Sequence, residues 1–258
     1  MAAIRNFFIE RDVIEVQTPV LGEATVTDPD VDGIAIPGYG YLQTSPEYFL
    51  KRLLAAGVSD CYQMGPMFRA DETGRLHNRE FTLLEWYRIG FNHHDLMAEV
   101  AQLVDVVLGV GEYRVLTYAD LVGDRARPRA DLDLAFAAAC EGISGRAFIT
   151  DYPADQAALA RLNDDGQTAA RFELVVDGVE LANGYWELSD RSEHERRFEA
   201  DLIVRSERGK PHRALDTAFL SALDAGLPDC AGVALGVDRL VMIALGADTL
   251  DQVLTFRR

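Results

Sequence analysis

The sequence of 258 residues is poor in basic side chains and in long apolar runs. It holds 25 Lys and Arg against 42 Asp and Glu, for a formal net charge of −17 at pH 7. Proteins that bind a nucleic acid backbone usually present a basic face, so this balance disfavours a broad nucleic-acid surface and leaves room for a local basic pocket. Asp238 and Arg239 interrupt the best apolar run, which falls short of the ~20 residues of a membrane span, so we expect no membrane contact.

Cysteines are also few, and their spacing excludes an evident pairing. Cys61, Cys140 and Cys230 are odd in number, lie far apart and form no Cys-x-x-Cys motif. This pattern predicts reduced thiols and a cytoplasmic protein. The N-terminal residues 1–8 have the pattern of an amphipathic helix and not that of a signal peptide, which agrees with that location.

What the sequence does contain is enough apolar material for one large domain over residues 1–258. Hydrophobic residues make up 48% of the chain, which is ample for a substantial core. Strand-like runs come in adjacent pairs, near 61–68 and 80–88 and again near 171–177 and 179–188, and do not alternate strictly with helices. This order predicts an α+β fold in which helices flank an antiparallel sheet.

The run of residues 178–188 places two carboxylates and a carboxamide in an otherwise apolar, strand-like segment. A buried strand cannot carry Glu180, Asn183 and Glu187 inward without partners, and an ammonium group, a divalent metal ion or both would serve. The two acids are seven residues apart and would face opposite sides of a regular strand. We therefore expect a β-bulge at Asn183-Gly184 that brings both acids to one side. A half-exposed strand with its acids in water is the alternative.

Three further motifs follow one another along the chain, and each is weak when taken alone. They are the helix–strand–proline element that ends with residues 13–19, Phe68-Arg69 with an acidic loop to His77-Asn78-Arg79-Glu80-Phe81, and Gly232-Val233-Ala234-Leu235-Gly236-Val237-Asp238-Arg239. In this order they resemble the three motifs of class II aminoacyl-tRNA synthetase catalytic domains.

The residues between these motifs are similar to those of the lysyl branch of that class. They are Thr44-Ser45-Pro46-Glu47, Glu85-Trp86-Tyr87 and Glu180-Leu181-Ala182-Asn183-Gly184. With Ala24-Thr25-Val26-Thr27-Asp28 and the run 230–242, they resemble the elongation factor P–(R)-β-lysine ligase family, a stand-alone relative of lysyl-tRNA synthetase. The resemblance covers nearly the whole chain. It implies a single class II synthetase-like catalytic domain over 1–258, without the N-terminal OB-fold that binds the anticodon.

The resemblance implies an ATP-dependent enzyme that uses Mg²⁺. The carboxylate of (R)-β-lysine or lysine would attack the α-phosphate of ATP to form an aminoacyl-adenylate, and a lysine side chain of elongation factor P would take the aminoacyl group. Two alternatives stay open: a truncated lysyl-tRNA synthetase-like enzyme that activates lysine for another acceptor, and an inactive regulatory paralogue. The net charge of −17 and the missing anticodon module argue against tRNA as the acceptor.

The resemblance also implies a role for each matching residue. Catalytic roles fall to Arg69, Glu180 and Arg239, and metal binding falls to Glu180 and Glu187. The amino-acid pocket would comprise Ser45, Pro46, Glu47, Tyr87, Asn183, Glu187 and Ala234. The nucleotide site would comprise Arg69, Asp71, His77, Asn78, Phe81, Glu180, Leu181, Gly236 and Arg239. In this scheme Phe81 and Arg239 sandwich the adenine ring, by stacking and a cation–π contact.

One pocket residue bears on the choice of substrate. Ala234 stands where lysyl-tRNA synthetases usually carry Gly, so its methyl group would crowd an α-amine and favour a β-amino acid. Simple packing of Ala234 under the sheet is the alternative.

The chain departs from the family pattern at two places. A third segment, the helix of the first motif, indicates an interface. Ala70-Asp71 stands where Asn-Glu is common, and Arg79 stands where Pro is usual. The helix of the first motif usually builds the dimer interface of these enzymes. Its apolar face, formed by Ile4, Phe7 and Phe8, needs a partner, so we expect a homodimer.

Overall fold

The computed structural model describes residues 1–123 and 129–256, which form helices and strands in the following order. The α-helices are α1 (Ala2–Ile9), α2 (Glu47–Ala55), α3 (His93–Leu108), α4 (Tyr118–Val122), α5 (Arg129–Glu141), α6 (Arg191–Glu207), α7 (Thr217–Gly226) and α8 (Val237–Ala244). The strands are β1 (Ile14–Glu15), β2 (Leu21–Gly22), β3 (Ala35–Ile36), β4 (Gly40–Leu42), β5 (Cys61–Phe68), β6 (Glu80–Ile89), β7 (Tyr113–Thr117), β8 (Arg146–Thr150), β9 (Tyr152–Pro153), β10 (Thr168–Ala169), β11 (Arg171–Val176), β12 (Val179–Trp186) and β13 (Cys230–Gly236).

The backbone divides into two compact units, and the first comprises Met1–Arg11, Gly90–Leu188 and Cys230–Leu235. Its main strands follow the order β13-β12-β11-β8-β7, antiparallel except for the parallel pair β7–β8. β11 and β12 are joined by Asp177-Gly178, where both residues have positive φ, 48° and 78°. A two-residue turn of this kind matches the twist of an antiparallel hairpin, and the second position favours glycine.

Different helices cover the two faces of these strands. On one face α3 packs against β11 and β12, and α1 packs against α3. Ile4, Phe7 and Phe8 of α1 are buried there. The apolar face for which we expect a dimer partner from the sequence is therefore already covered within the first unit. On the other face, Ala147 and Val175 form a core with residues of α4 and α5.

The second unit comprises Asp12–Ile89, Ser189–Asp229 and the residues from Gly236 onward. In it β1 pairs in parallel with β5, β5 pairs in antiparallel fashion with β6, and β2, β4 and β3 form a small sheet of their own. Helices α2 and α7 pack through aromatic rings, with Tyr48 stacked on Phe219 at 4.4 Å between centroids. This packing fixes α2, whose first residue, Glu47, and N-cap, Pro46, belong to the predicted amino-acid pocket.

The α+β fold predicted from the sequence is confirmed, and its strands are mixed in direction at the parallel pairs β1–β5 and β7–β8. Local caps explain the start of two helices: Asn92 caps α3 with a capping box, and Asp190 caps α6. Within the part of the chain that the structure describes, no helix has both the length and the hydropathy to cross a membrane.

Candidate active site

The predicted site residues divide between the two units. Pro46 and Gly236 occupy the N-cap positions of α2 and α8. The second unit contains Ser45, Pro46, Glu47, Arg69, Asp71, His77, Asn78, Phe81, Tyr87, Gly236 and Arg239. The first unit contains Glu180, Leu181, Asn183, Glu187 and Ala234.

A buried carboxylate lies between two hydroxyl groups in the second unit. Glu85, on β6, is 3% exposed and accepts hydrogen bonds from Ser45 Oγ at 2.7 Å and Tyr87 Oη at 2.8 Å. Glu85 and Tyr87 share one face of β6 because they are two residues apart. Ser45 lies just before α2, and its Oγ also accepts the Glu47 backbone N–H at 3.0 Å. The hydroxyl groups therefore fix the orientation of a carboxylate that is removed from water.

A second carboxylate and a buried lysine tune the charge of this cluster. Lys51 Nζ donates to Glu47 Oε1 at 2.6 Å, one helical turn away on α2. Burial first, and the charge of Glu47 second, raise the pKa of Glu85 well above its usual range, although the hydroxyl groups and Lys51 act in the opposite direction. An ammonium group brought to Glu85 would favour its ionised form. The cluster thus has the chemistry of an ammonium site.

Arg69 follows β5 directly, at the base of the loop that leads to β6. Its backbone N–H donates to the Arg79 carbonyl at 3.0 Å. The guanidinium donates from Nε to the Thr44 carbonyl at 3.3 Å, and its Cζ lies 5.0 Å from the centroid of the Phe81 ring. These contacts orient the planar fork of the arginine, which suits bidentate binding of carboxylate or phosphate oxygens.

An acid of the same loop contacts two of the predicted anion-binding side chains. Glu72 accepts from Arg69 Nη1 at 3.3 Å and lies 3.2 Å from His77 Nε2. An anionic ligand would compete with Glu72 for Arg69. Asp71, which the sequence analysis assigns to the nucleotide site, is exposed, whereas Asn78 is buried and donates from Nδ2 to the Glu80 carbonyl at 2.6 Å.

The third motif brings Arg239 to the same loop. Its Nε donates to the Leu76 carbonyl at 3.1 Å, and its Nη2 lies 2.8 Å from His77 Nε2. The preceding residue, Asp238, accepts the Thr82 backbone N–H at 2.8 Å. This hydrogen bond ties α8 to β6 one residue beyond the phenylalanine predicted to stack on adenine. The second unit therefore brings together the loop, Arg239 and the start of β6.

In the first unit, β12 carries a bulge, although not where the sequence predicts it. Consecutive residues of β11 pair with Ala182 and Glu180, so Leu181 is the extra residue. The ladder is regular across Asn183-Gly184, and the bulge predicted there is wrong. The glycine at position 184 is explained by packing. A Cβ there would lie 2.4 Å from the Phe172 ring, so no larger residue fits.

The bulge at Leu181 nevertheless brings the acids of β12 to one face. Glu180 pairs with Val175 and Asn183 pairs with Glu173. Because Val175 and Glu173 are two residues apart on β11, the side chains of all four point to the same face. Glu187 is four residues beyond Asn183, and its backbone N–H continues the ladder to β13 at 3.0 Å. Glu180, Asn183 and Glu187 therefore share a face, as the sequence analysis expects.

Two carboxylates on this face fit a divalent metal ion. Glu173 is buried and accepts from Arg171 Nη2 at 2.6 Å, whereas Glu180 is exposed. Burial first, and the charge of Glu180 second, raise the pKa of Glu173 above its usual range. A cation would relieve this repulsion, and Mg²⁺ is typically held by one or two carboxylates plus phosphate oxygens. Among residues 1–123 and 129–256, no cluster of three or more metal-ligating side chains is found.

Asn183 and Ala234 lie opposite each other on β12 and β13. The Asn183 Oδ1 is buried and accepts no hydrogen bond from the described residues. A buried acceptor normally has a donor, so a ligand with a donor group could bind here. Ala234 is only half-buried, in contrast to its neighbours Val233 and Leu235. Glu187 is 1% exposed.

Three acids that the structure brings to these clusters have no site role among the residues predicted from the sequence: Glu72, Glu85 and Glu173. The spacing could have indicated two of them. Glu85 precedes Tyr87 by two residues on a predicted strand, and Glu173 follows Arg171 by two, so strand periodicity alone places each pair on one face.

The whole chain, residues 1–258, matches the family described as tRNA synthetases class II (D, K and N). The chain belongs to this family. Its resemblance to class II synthetases is thereby confirmed, and it is an ATP-dependent ligase.

Named relatives align with almost the whole of this chain. Those of Vibrio parahaemolyticus, Vibrio cholerae and Yersinia enterocolitica are each named elongation factor P–(R)-β-lysine ligase. The first is 45% identical over 99% of this chain and 92% of its own length. The second is 44% identical over 98% and 91%, and the third 43% identical over 99% and 92%.

Proposed function

We propose that this chain activates (R)-β-lysine with ATP and transfers it to a lysine side chain of elongation factor P. The observation that carries the proposal is the buried Glu85, held by Ser45 and Tyr87, because it suits a substrate with a distal ammonium group. The names of the similar ligases support the choice of amino acid and acceptor.

In the proposed first step, a carboxylate oxygen of the amino acid attacks the α-phosphorus of ATP. The bond from the α-phosphorus to the bridging oxygen breaks, and pyrophosphate leaves. The nucleophile is already an anion, so no general base is needed; the site must supply alignment and positive charge. Arg69 would bind both reacting groups, Phe81 and Arg239 would hold adenine, and Glu180 with Glu187 would hold Mg²⁺, which offsets phosphate charge. The buried Glu173 lies on the same face as these two acids.

In the proposed second step, the amine of the acceptor lysine attacks the activated carbonyl. An amide bond forms, AMP leaves with the electrons of the broken C–O bond, and the amine loses a proton. Asn183 and Ala234 would border the reacting end of the amino acid, and Glu187 would belong to the same pocket. At the other end of the amino acid, a pocket in which Glu85 binds the distal ammonium could reject uncharged analogues by ~10⁴-fold or more.

ATP–pyrophosphate exchange with α-lysine, (R)-β-lysine and (S)-β-lysine tests the first step. We expect exchange to be fastest with (R)-β-lysine. Purified elongation factor P, analysed by intact mass, tests the second, with a factor whose acceptor lysine is replaced by arginine as the control. Exchange without transfer would refute this acceptor and favour the alternative of a synthetase-like enzyme that serves another one; no exchange with any isomer would refute the activity.

We also propose a cytoplasmic homodimer. Since α1 is packed within its own unit, support comes instead from the strand of the first motif and the two residues that follow the motif. There Ile14, Val20 and Leu21 are apolar and between 37% and 49% exposed. Light scattering of the purified chain measures the mass directly, and a monomer across micromolar concentrations would refute the dimer.

A further inference from the structure

A loop of the second unit, residues 28–33, is held by cations from α6 and the segment after it. Its Asp32 accepts from Arg205 Nη2 at 2.7 Å and from Lys210 Nζ at 2.6 Å. Arg213 Nη2 lies 3.7 Å away. The Arg205 side chain is 1% exposed, so this ion pair is shielded from water and is stronger than a surface pair.

The same cations bind the backbone of the 28–33 loop. Lys210 Nζ donates to the Pro29 carbonyl at 2.8 Å, and Arg205 Nη1 donates to the Asp28 carbonyl at 3.0 Å. Burial alone would raise the pKa of Asp32, but hydrogen bonds from Lys210 and Arg205 outweigh it and lower this pKa to about 2. Asp32 therefore stays ionised throughout the neutral range, and the loop stays bound.

This loop reaches the arginine of the second motif through a backbone hydrogen bond. The Ala70 N–H donates to the Asp32 carbonyl at 2.7 Å. That N–H belongs to the peptide that joins Arg69 to Ala70, so the hydrogen bond fixes the plane of the peptide immediately after Arg69. On its other side, the Arg69 N–H is held by the Arg79 carbonyl at 3.0 Å.

We propose that Lys210, acting with Arg205 through Asp32, is a positioning residue that sets the direction in which Arg69 points. The inference rests on the proposed function, since it takes Arg69 as the residue that binds the reacting carboxylate and α-phosphate. A displacement of about 1 Å in such a group can reduce the rate by roughly 10². Without Lys210 the loop would still be held by Arg205, so we expect the rate to fall by less than this.

Lys210→Met removes the ammonium group and retains the apolar stem. We expect kcat for pyrophosphate exchange to fall about tenfold, with a smaller change in the KM for the amino acid. The Ala70 amide should exchange its hydrogen faster with solvent, because its acceptor is no longer fixed. Lys210→Arg should restore both properties, since it keeps a donor for the Asp32 carboxylate.

Arg208→Met is the matched control. Arg208 comes from the same end of α6 and pairs with Asp30 of the same loop at 2.5 Å, in an exposed setting. The substitution changes the net charge equally but leaves the contacts of Asp32 in place. We expect kcat and Ala70 exchange to stay within about twofold of the wild type.

The readouts distinguish a positioning role from a merely stabilising one. A lower melting temperature with unchanged kcat and unchanged Ala70 exchange would overturn the proposal. If the wild type itself shows no pyrophosphate exchange, the proposed function fails, and Ala70 exchange alone decides whether Lys210 controls the Arg69 peptide. If Lys210→Met does not fold, Asp32→Asn, which keeps size and shape, is held to the same expectations.

Discussion

Replacement of Glu85 by glutamine tests the proposed ammonium site most directly. The substitution keeps the shape of the side chain and removes its charge. Ser45 and Tyr87 now donate to the carboxylate at 2.7 and 2.8 Å. A hydroxyl group can also accept, so either one can turn to accept from the new amide. The fold should therefore survive, and the change isolates the charge.

The expected loss in activity follows from the burial of this group. Removal of one partner from a buried ion pair costs about 3–5 kcal/mol, because the other charge is left without compensation. At 1.4 kcal/mol for each factor of ten, kcat/KM for (R)-β-lysine should fall by about 10²- to 4 × 10³-fold. Discrimination against an uncharged isostere that carries a methyl group in place of the distal ammonium should fall with it.

The pH dependence has a defined sign. The pKa of Glu85 lies well above its usual range because of burial and the charge of Glu47. Below that raised pKa, substrate binding must first remove a proton, so kcat/KM of the wild type should rise with pH and then level off. The Glu85→Gln variant should lack this rise.

Stability should change in the opposite direction to activity. The folded state keeps a proton on Glu85 that the unfolded state has released, so wild-type stability falls as pH rises from the ordinary pKa of glutamate through the raised one. Glu85→Gln should therefore gain melting temperature relative to the wild type as pH increases through this window.

Pyrophosphate exchange and thermal melting between about pH 6 and pH 9 provide the two measurements. The control is Glu199→Gln, which makes the same chemical change at an exposed position of α6. The reasoning about Glu85 would be refuted by a variant whose kcat/KM stays within about threefold of the wild type with an unchanged pH profile.

Three other substitutions test the remaining assignments. Arg69→Ala should slow exchange about 10²–10³-fold without changing the fold by circular dichroism, and exchange within about threefold of wild type would remove Arg69 from catalysis. Glu180→Gln should weaken the Mg²⁺ dependence of ATP affinity in calorimetry; an unchanged dependence would take Glu180 out of the metal site. The wild type should favour β-lysine over α-lysine, and Ala234→Gly should narrow that kcat/KM ratio by improving α-lysine roughly 10- to 200-fold, whereas equal ratios would return Ala234 to simple packing.

Much of the secondary structure could be predicted because its signals are local. Asn92 and Asp190 cap the helices that follow them, and the periodicity of apolar residues predicts β5, β6, β11 and β12 close to their observed bounds. The strand β7 gives a weaker signal, because it lies at the end of the strand order and exposes Val115. Its parallel pairing with β8 depends on contacts remote in sequence, which local patterns do not encode.

The position of the bulge shows where reasoning from the sequence fails. A glycine in a strand indicates either a bulge or a close approach by another group. At Gly184 the cause is the Phe172 ring on the neighbouring strand, whereas the bulge falls at Leu181, a residue without a distinctive preference. The shared face of Glu180 and Glu187 was nevertheless predicted correctly. A single bulge anywhere between the two acids, at Gly184 as predicted or at Leu181 as observed, brings them to the same side of the strand.

The two acidic clusters follow the same physical principle. In one, burial and Glu47 raise the pKa of Glu85; in the other, burial and Glu180 raise that of Glu173. Each places a second carboxylate near a buried one. Lys51 pairs with Glu47 and Arg171 pairs with Glu173, but the raised pKa values of Glu85 and Glu173 show that these cations offset burial and repulsion only in part. A proton neutralises one acid only, whereas a substrate ammonium or Mg²⁺ would stabilise the ionised form of both. Binding of the proposed substrates would therefore relieve repulsion that the fold maintains in their absence, and this difference would give each cluster selectivity for a cationic ligand.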